Sequence, residues 1–255
     1  MKWPSLLTLI RHDVSRYNAL KEAKLSDPDY QRLIKLFEED PGSPLARSLA
    51  QEIGHRFALQ VSDAHTPLEI AESEQAVATG AALSGRQALP DVIFVSPYLR
   101  AKQTLQAMIT GWPELADIKT IEDERIREQE HGLSLLYDRK VFFILFPDQR
   151  ILHAQEGSYY YRFPQGENVP DVRLRNRSWL GALTRDFGAM NIMVVTHHLN
   201  ILATRGNLER LPAEEFQHLD ENEKPINLGV TTYEGEPQEG RDGRLVLTGY
   251  NKALY

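Results

Sequence analysis

Two histidines that close apolar runs are the residues best able to do chemistry in this chain. Leu6–Ile10 ends in Arg11-His12, with Ser15 and Asn18 close behind; Ile192–Thr196 ends in His197. Strand ends in open α/β sheets are where ligands bind. A cation, two imidazoles and small polar groups there suit an anionic ligand and a nucleophile. Ser96–Arg100 brings a second arginine after a Ser-Pro step, and Arg127-Glu128 brings a carboxyl group. Phosphoryl transfer needs this set: positive charge around three oxygens, an in-line nucleophile and an acid for the leaving oxygen. Arg11 and Arg100 are planar forks that match phosphate. Amides at the start of the helix after Ser96-Pro97 add donors. A neutral imidazole is a competent nucleophile near neutral pH, and Glu128 is the available proton donor. On its own, Glu128 reads as part of a solvated acidic loop with Glu122, Asp123, Glu124 and Glu130.

These segments need a sheet to bring them together. Leu6–Ile10, Asp91–Val95 and Asn191–Thr196 read as buried strands, and 118–121 as a weaker one. Thr66-Pro67, with Glu69 in capping-box position, is expected to open a helix that runs toward Gly85. Further helices are expected over Leu99–Ile109, Val169–Phe187 and His198–Leu208. Leu228–Tyr233 and Leu245–Tyr250 read as an edge hairpin around a turn-rich loop. Strands alternating with helices argue for a largely parallel sheet covered on both faces. Residues 19–65 stand apart. Tyr30, Leu33, Ile34 and Phe37, then Leu45, Leu49, Ile53 and Phe57, are at helical spacing, so two amphipathic helices joined at Asp40-Pro41-Gly42 are expected. The expectation is a single domain over 1–255, with a helical insertion at about 19–65 and a cap segment at about 133–160. Within the cap, the aromatic cluster Phe142–Phe146 reads as core more readily than as a substrate pocket. Tyr159–Tyr161 read as packing under a loop, and His131 and His153 as surface or cap residues.

The chain has 255 residues, a net charge of -7 and no cysteine. The length supports a sizeable core, the acidic balance argues against a general nucleic-acid surface, and the missing thiols exclude disulfides and cysteine nucleophiles. The first apolar run is too short for a secretory leader, and no stretch approaches a membrane span; a cytoplasmic location is expected. Gly80–Gly85 has P-loop spacing, but Arg86-Gln87 follows in place of Lys and Ser or Thr.

In order along the chain, the motifs resemble the histidine phosphatase superfamily, the phosphoglycerate mutase-like fold. Its Arg-His-Gly-x-Ser/Thr-x-x-Asn signature is similar to Arg11-His12-Asp13-Val14-Ser15-Arg16-Tyr17-Asn18. Ser96-Pro97-Tyr98-Leu99-Arg100-Ala101-Lys102-Gln103-Thr104, Ile126-Arg127-Glu128-Gln129, Phe163-Pro164-Gln165-Gly166-Glu167 and Val195-Thr196-His197 resemble its later segments. The resemblance implies a three-layer α/β/α sandwich with a mostly parallel central sheet. It implies a metal-independent phosphomonoesterase with no cofactor, acting on a small phosphorylated metabolite and releasing inorganic phosphate. His12 would carry the phosphoryl group; Arg11, Arg100 and a protonated His197 would hold its oxygens, with Asn18 and Ser15 assisting. Glu128 would protonate the leaving oxygen and then activate water.

Two positions depart from the family pattern. Asp13 and His198 stand where relatives carry glycine, and the expectation is that they face each other as a charge pair at the pocket floor. His198 is counted there with the phosphate-binding residues; adjacent His197-His198 is not read as a metal site. The departures keep open a catalytically weakened phospholigand-binding protein. A phosphoglycerate mutase is the enzymatic rival, disfavoured by His131-Gly132-Leu133-Ser134 after the glutamate motif. No nucleic-acid or membrane partner is expected, and a homodimer is left open.

Overall fold

The computed structural model describes residues 2–255. In chain order the elements are β1 (Leu6–Arg11), α1 (Arg16–Leu25), α2 (Pro28–Glu39), α3 (Pro44–Arg56) and α4 (Glu74–Ser84). Next come β2 (Val92–Val95), α5 (Leu99–Gly111), β3 (Thr120–Glu122), α6 (Arg139–Leu145), α7 (Pro147–Tyr160) and α8 (Val169–Asp186). The last are β4 (Asn191–Thr196), α9 (His198–Leu208), α10 (Ala213–Asn222), β5 (Val230–Glu236) and β6 (Arg244–Lys252). The chain divides into two compact units. The first takes 1–15, 67–128 and 171–255; the second takes 16–66 and 129–170.

The first unit is built on one six-stranded sheet in the order β3-β2-β4-β1-β5-β6. The first four of these pair in parallel, and β5 and β6 close one side as an antiparallel hairpin. The central strands read as continuous apolar runs because both faces are covered. Side chains alternate between faces. Leu7 and Leu9 join Val92, Phe94, Ile192 and Val194 in a core with Trp179, Leu180 and Leu183 of α8 and Ile201 of α9. Ile10, Ile93, Val95, Met193 and Val195 face the other way, onto Leu83 of α4 and Ala101, Leu105 and Met108 of α5. The result is the three-layer α/β/α architecture. Among the described residues no helix is long and apolar enough to cross a membrane.

The second unit is helical. α2 and α3 form where their spacing predicted; each opens with a capping side chain, Asp27 or Ser43, ahead of a proline. Tyr30, Leu33, Leu49 and Ile53 pack with Val141 and Ile144. Phe142 and Phe143 are fully buried with Tyr161, so the aromatic cluster is core. Tyr159 and Tyr161 are buried, and Tyr160 is exposed. The expected insertion (19–65) and cap (133–160) both fall within this unit.

One expected helix start is wrong. Thr66 does not cap α4: its hydroxyl donates to the Ser62 carbonyl. Leu68 instead bridges Ser15, the Leu68 amide donates to Gln103 Oε1, and the Glu69 amide donates to the Val14 carbonyl. These contacts hold 68–69 extended, and the helix waits for Ser73, whose hydroxyl accepts from the Ala76 amide.

Candidate active site

Strand register brings the two histidines together. β1 and β4 run parallel with Arg11 opposite Thr196, so His12 and His197 each follow the last paired residue. The His12 amide donates to the Thr196 carbonyl at 2.9 Å, and the two rings lie 5.0 Å apart. Val95 of β2 pairs with Val195, which places Ser96 at the same edge. Its hydroxyl is 2.7 Å from His197 Nε2. All of these residues, with Arg100 and Glu128, belong to the first unit.

The hydrogen bonds fix the state of His12. Nδ1 donates to the Asp13 carbonyl at 2.6 Å, while Nε2 accepts from Arg100 Nε at 3.2 Å. The ring is therefore neutral, with its proton on Nδ1 and a lone pair on Nε2 beside a guanidinium. Burial, followed by the charges of Arg100 and Arg11, holds His12 well below its ordinary value of 6.5. His197 is held down in the same way by burial, Arg100 and the His12 ring. It is thus set to be neutral, not the cation expected from the sequence; a phosphoryl dianion beside it would push the other way. His197 Nδ1 and Arg11 Nε are buried without a hydrogen-bond partner, which leaves two nitrogens for an oxyanion.

The remaining parts are tied to the same edge. Arg11 donates from Nη1 to the Pro225 carbonyl at 2.7 Å, and Asn227 Nδ2 donates to the His12 carbonyl at 2.9 Å. Arg100 is buried, its guanidinium 4.9 Å from the centre of the Tyr98 ring. Glu128 Oε1 accepts from the Leu199 amide in the first turn of α9, at 3.2 Å. Ser15 is buried in the bridge to Leu68. Asn18 lies in α1, in the second unit, where it is half-buried.

The expected Asp13–His198 pair does not form. The Asp13 carboxylate turns back to accept from the Val14 amide at 2.7 Å, and the Asp13 amide donates to Thr104 Oγ1. Neither Asp13 nor His198 has a positive φ, so neither position needs glycine's freedom. Asp220 on α10 lies against His198: Nε2 to Oδ1 is 2.7 Å, not aligned as a hydrogen bond. Asp220 was missed in the sequence, because no local spacing links α10 to the start of α9; Ser96 lay within a segment expected at this edge, but had no role of its own there.

Two buried neutral histidines predict acid sensitivity. In the unfolded chain they take up protons below about 6.5, while in the folded protein they resist. Stability from this source is complete above the unfolded value and declines as pH falls toward the lowered folded values. His153 adds to the decline, since burial and Arg139 push it down to about 4. The urea midpoint, followed by tryptophan fluorescence, should stay level from pH 8 to about 6.5 and fall from there to pH 5. A flat midpoint down to pH 5 would contradict neutral burial of these rings.

Comparison with known proteins agrees with this geometry. The sequence model of the histidine phosphatase superfamily (branch 1) matches residues 55–241. His12 lies before that span, separated from it by much of the helical stretch. Phosphoglycerate mutase-like protein AT74H of Arabidopsis thaliana is 26% identical over 227 residues, covering 85% of this chain and 70% of the relative. Phosphoglycerate mutase-like protein AT74 of the same plant is 30% identical over 120 residues, 46% of this chain and 36% of the relative. Among solved structures, a mycobacterial glucosyl-3-phosphoglycerate phosphatase in complex with inorganic phosphate has a TM-score of 0.62 at 20% identity, covering 98% of each chain. A putative alpha-ribazole-5'-P phosphatase from Escherichia coli reaches 0.66 at 16% identity, covering 97% of each. At these identities the structural likeness establishes the fold.

Proposed function

The chain belongs to the histidine phosphatase superfamily, and from that premise we propose that it is a metal-independent phosphomonoesterase working through a phosphohistidine on His12. The observation that carries this reading is the lone pair on His12 Nε2, flanked by Arg100 and the second imidazole. Nε2 attacks phosphorus as the ester P–O bond breaks, and the Glu128 carboxyl gives its proton to the leaving oxygen. Arg11, Arg100 and His197 hold the three phosphoryl oxygens, with Ser15 and His198 supplying further polar contacts. Fixed donors of this kind act most strongly where charge develops. Glu128, now a carboxylate, takes a proton from water; the hydroxide attacks phosphorus, the P–N bond breaks, and inorganic phosphate leaves. The substrate is a small phosphorylated metabolite. A cytoplasmic setting goes with the reading.

The test is to incubate the protein with 3-phosphoglycerate and 4-nitrophenyl phosphate and trap acid-labile phosphoprotein. Release of inorganic phosphate with a trapped intermediate supports the proposal. Isomerisation of 3-phosphoglycerate without release would make the protein a mutase. Phosphate binding without turnover would make it a ligand-binding protein. Leaving-group dependence tests the acid: E128Q should lower kcat/KM, which runs only to the breaking of the ester bond and leaves out the later hydrolysis of phosphohistidine, by about 100- to 10,000-fold on an alkyl phosphate. The loss on 4-nitrophenyl phosphate should be no more than about tenfold, because nitrophenolate leaves without a proton. Equal losses on the two esters would remove the acid assignment.

A further inference from the structure

Glu128 stands on a short irregular segment, which gives a proton donor no rigidity of its own. The segment is nevertheless gripped at four successive carbonyls. Arg175, half-buried on α8, donates from Nη1 to the carbonyls of Arg125 at 2.8 Å and Arg127 at 2.9 Å. Its Nη2 donates to the Glu128 carbonyl at 2.9 Å. The carbonyl between them, on Ile126, accepts from Thr196 Oγ1 at 2.6 Å. Asn200 Nδ2 adds a longer bond to the Arg125 carbonyl at 3.3 Å. Thr196 is the residue before His197, and Asn200 sits in the first turn of α9. The main chain of the acid is therefore bolted to the same strand end and helix start that present the second imidazole.

A guanidinium suits this task, because its planar fork has several donors fixed in direction. A lysine ammonium is a point charge that cannot span the three carbonyls in one plane. Three of the hydrogen bonds of Arg175 go to the segment that carries Glu128, and its charge also bears on His197. We propose that Arg175 is the positioning residue for the proton donor: it fixes the 125–128 main chain so that the Glu128 carboxyl stays at the start of α9. This deepens the function proposed above and rests on Glu128 acting as the acid.

The experiment compares R175M and R175K with wild type and E128Q in the full chain, on an alkyl phosphate and on 4-nitrophenyl phosphate. Misplacing a reacting group by about 1 Å can cost about 100-fold. Both Arg175 variants should therefore lose about ten- to a hundredfold more kcat/KM on the alkyl ester than on the aryl ester. In R175K, which keeps the charge that bears on His197, the inhibition constant of inorganic phosphate should stay within about twofold. A merely structural role would lower both esters equally and weaken phosphate as well. Where R175M fails to fold, R175K carries the test, together with its crystal structure. The Glu128–Leu199 hydrogen bond should be lost there; finding it intact, or finding equal losses on both esters, overturns the inference. Selective loss in E128Q without it in the Arg175 variants sinks the inference alone. Equal losses in E128Q sink the acid reading, and the inference with it.

Discussion

H12A is expected to lower the hydrolysis of 4-nitrophenyl phosphate by about 10,000-fold or more and to abolish the acid-labile phosphoprotein. The size follows from what the ring does. Nε2 is the nucleophile that breaks the ester in the proposed sequence, and its lone pair is prepared by two hydrogen bonds, one to each ring nitrogen. Without it, water would have to attack the ester directly in a cradle arranged for a ring at that place. Phosphate itself should still bind, since Arg11, Arg100 and His197 remain. Substantial turnover by the variant, or a phosphoprotein that forms without His12, would refute the nucleophile.

R100A should be nearly as damaging and should add a signature in pH. Its guanidinium donates to His12 Nε2, and after burial it is the largest influence holding both imidazoles down. Losing one donor that stabilises developing charge costs about 100- to 1,000-fold. Removing the cation also relieves the penalty on imidazolium, so the His12 value rises toward 6.5. In kcat/KM, which reports the free enzyme, the acid limb should move to higher pH, because more of the nucleophile is protonated at a given pH below neutrality. R100K keeps the charge without the fork, so its acid limb should stay low while the rate still falls. An acid limb unmoved in R100A would show that another group sets the ionisation of His12.

Much of the catalytic edge was legible in the sequence, because each part closes an apolar run or sits in a short motif. His12, His197, Arg100 and Glu128 all fall within the first unit. What escaped was pairing across the sheet. His198 meets Asp220, and Arg175 reaches 125–128, through packing that no spacing encodes. Arg175 sits between Arg173 and Arg177, where it reads as one more exposed cation. α1 was invisible for a different reason: none of its residues is buried, so no periodic apolar face exists to be read. α10 buries only Phe216 and Leu219, too few to show a period. At Thr66 the local signal for a cap was sound, but the extended pairing of 68–69 with 14–15 overruled it.

The position of β1 has a consequence for how this protein is made. The strand that leads into His12 is interior to the sheet, between β4 and β5. Both neighbours are translated long after it; the first pairs with β1 from roughly 180 residues further on. At about 5–20 residues per second, a ribosome takes about 10–40 s to cover that distance. Throughout that interval Leu7, Leu9 and Ile10 have no sheet to enter, and a sticky nascent segment trails from the exit tunnel. Production in cells should therefore depend on chaperones that shield early apolar strands, and co-expressing them should raise the soluble yield more than lowering the temperature after synthesis is complete.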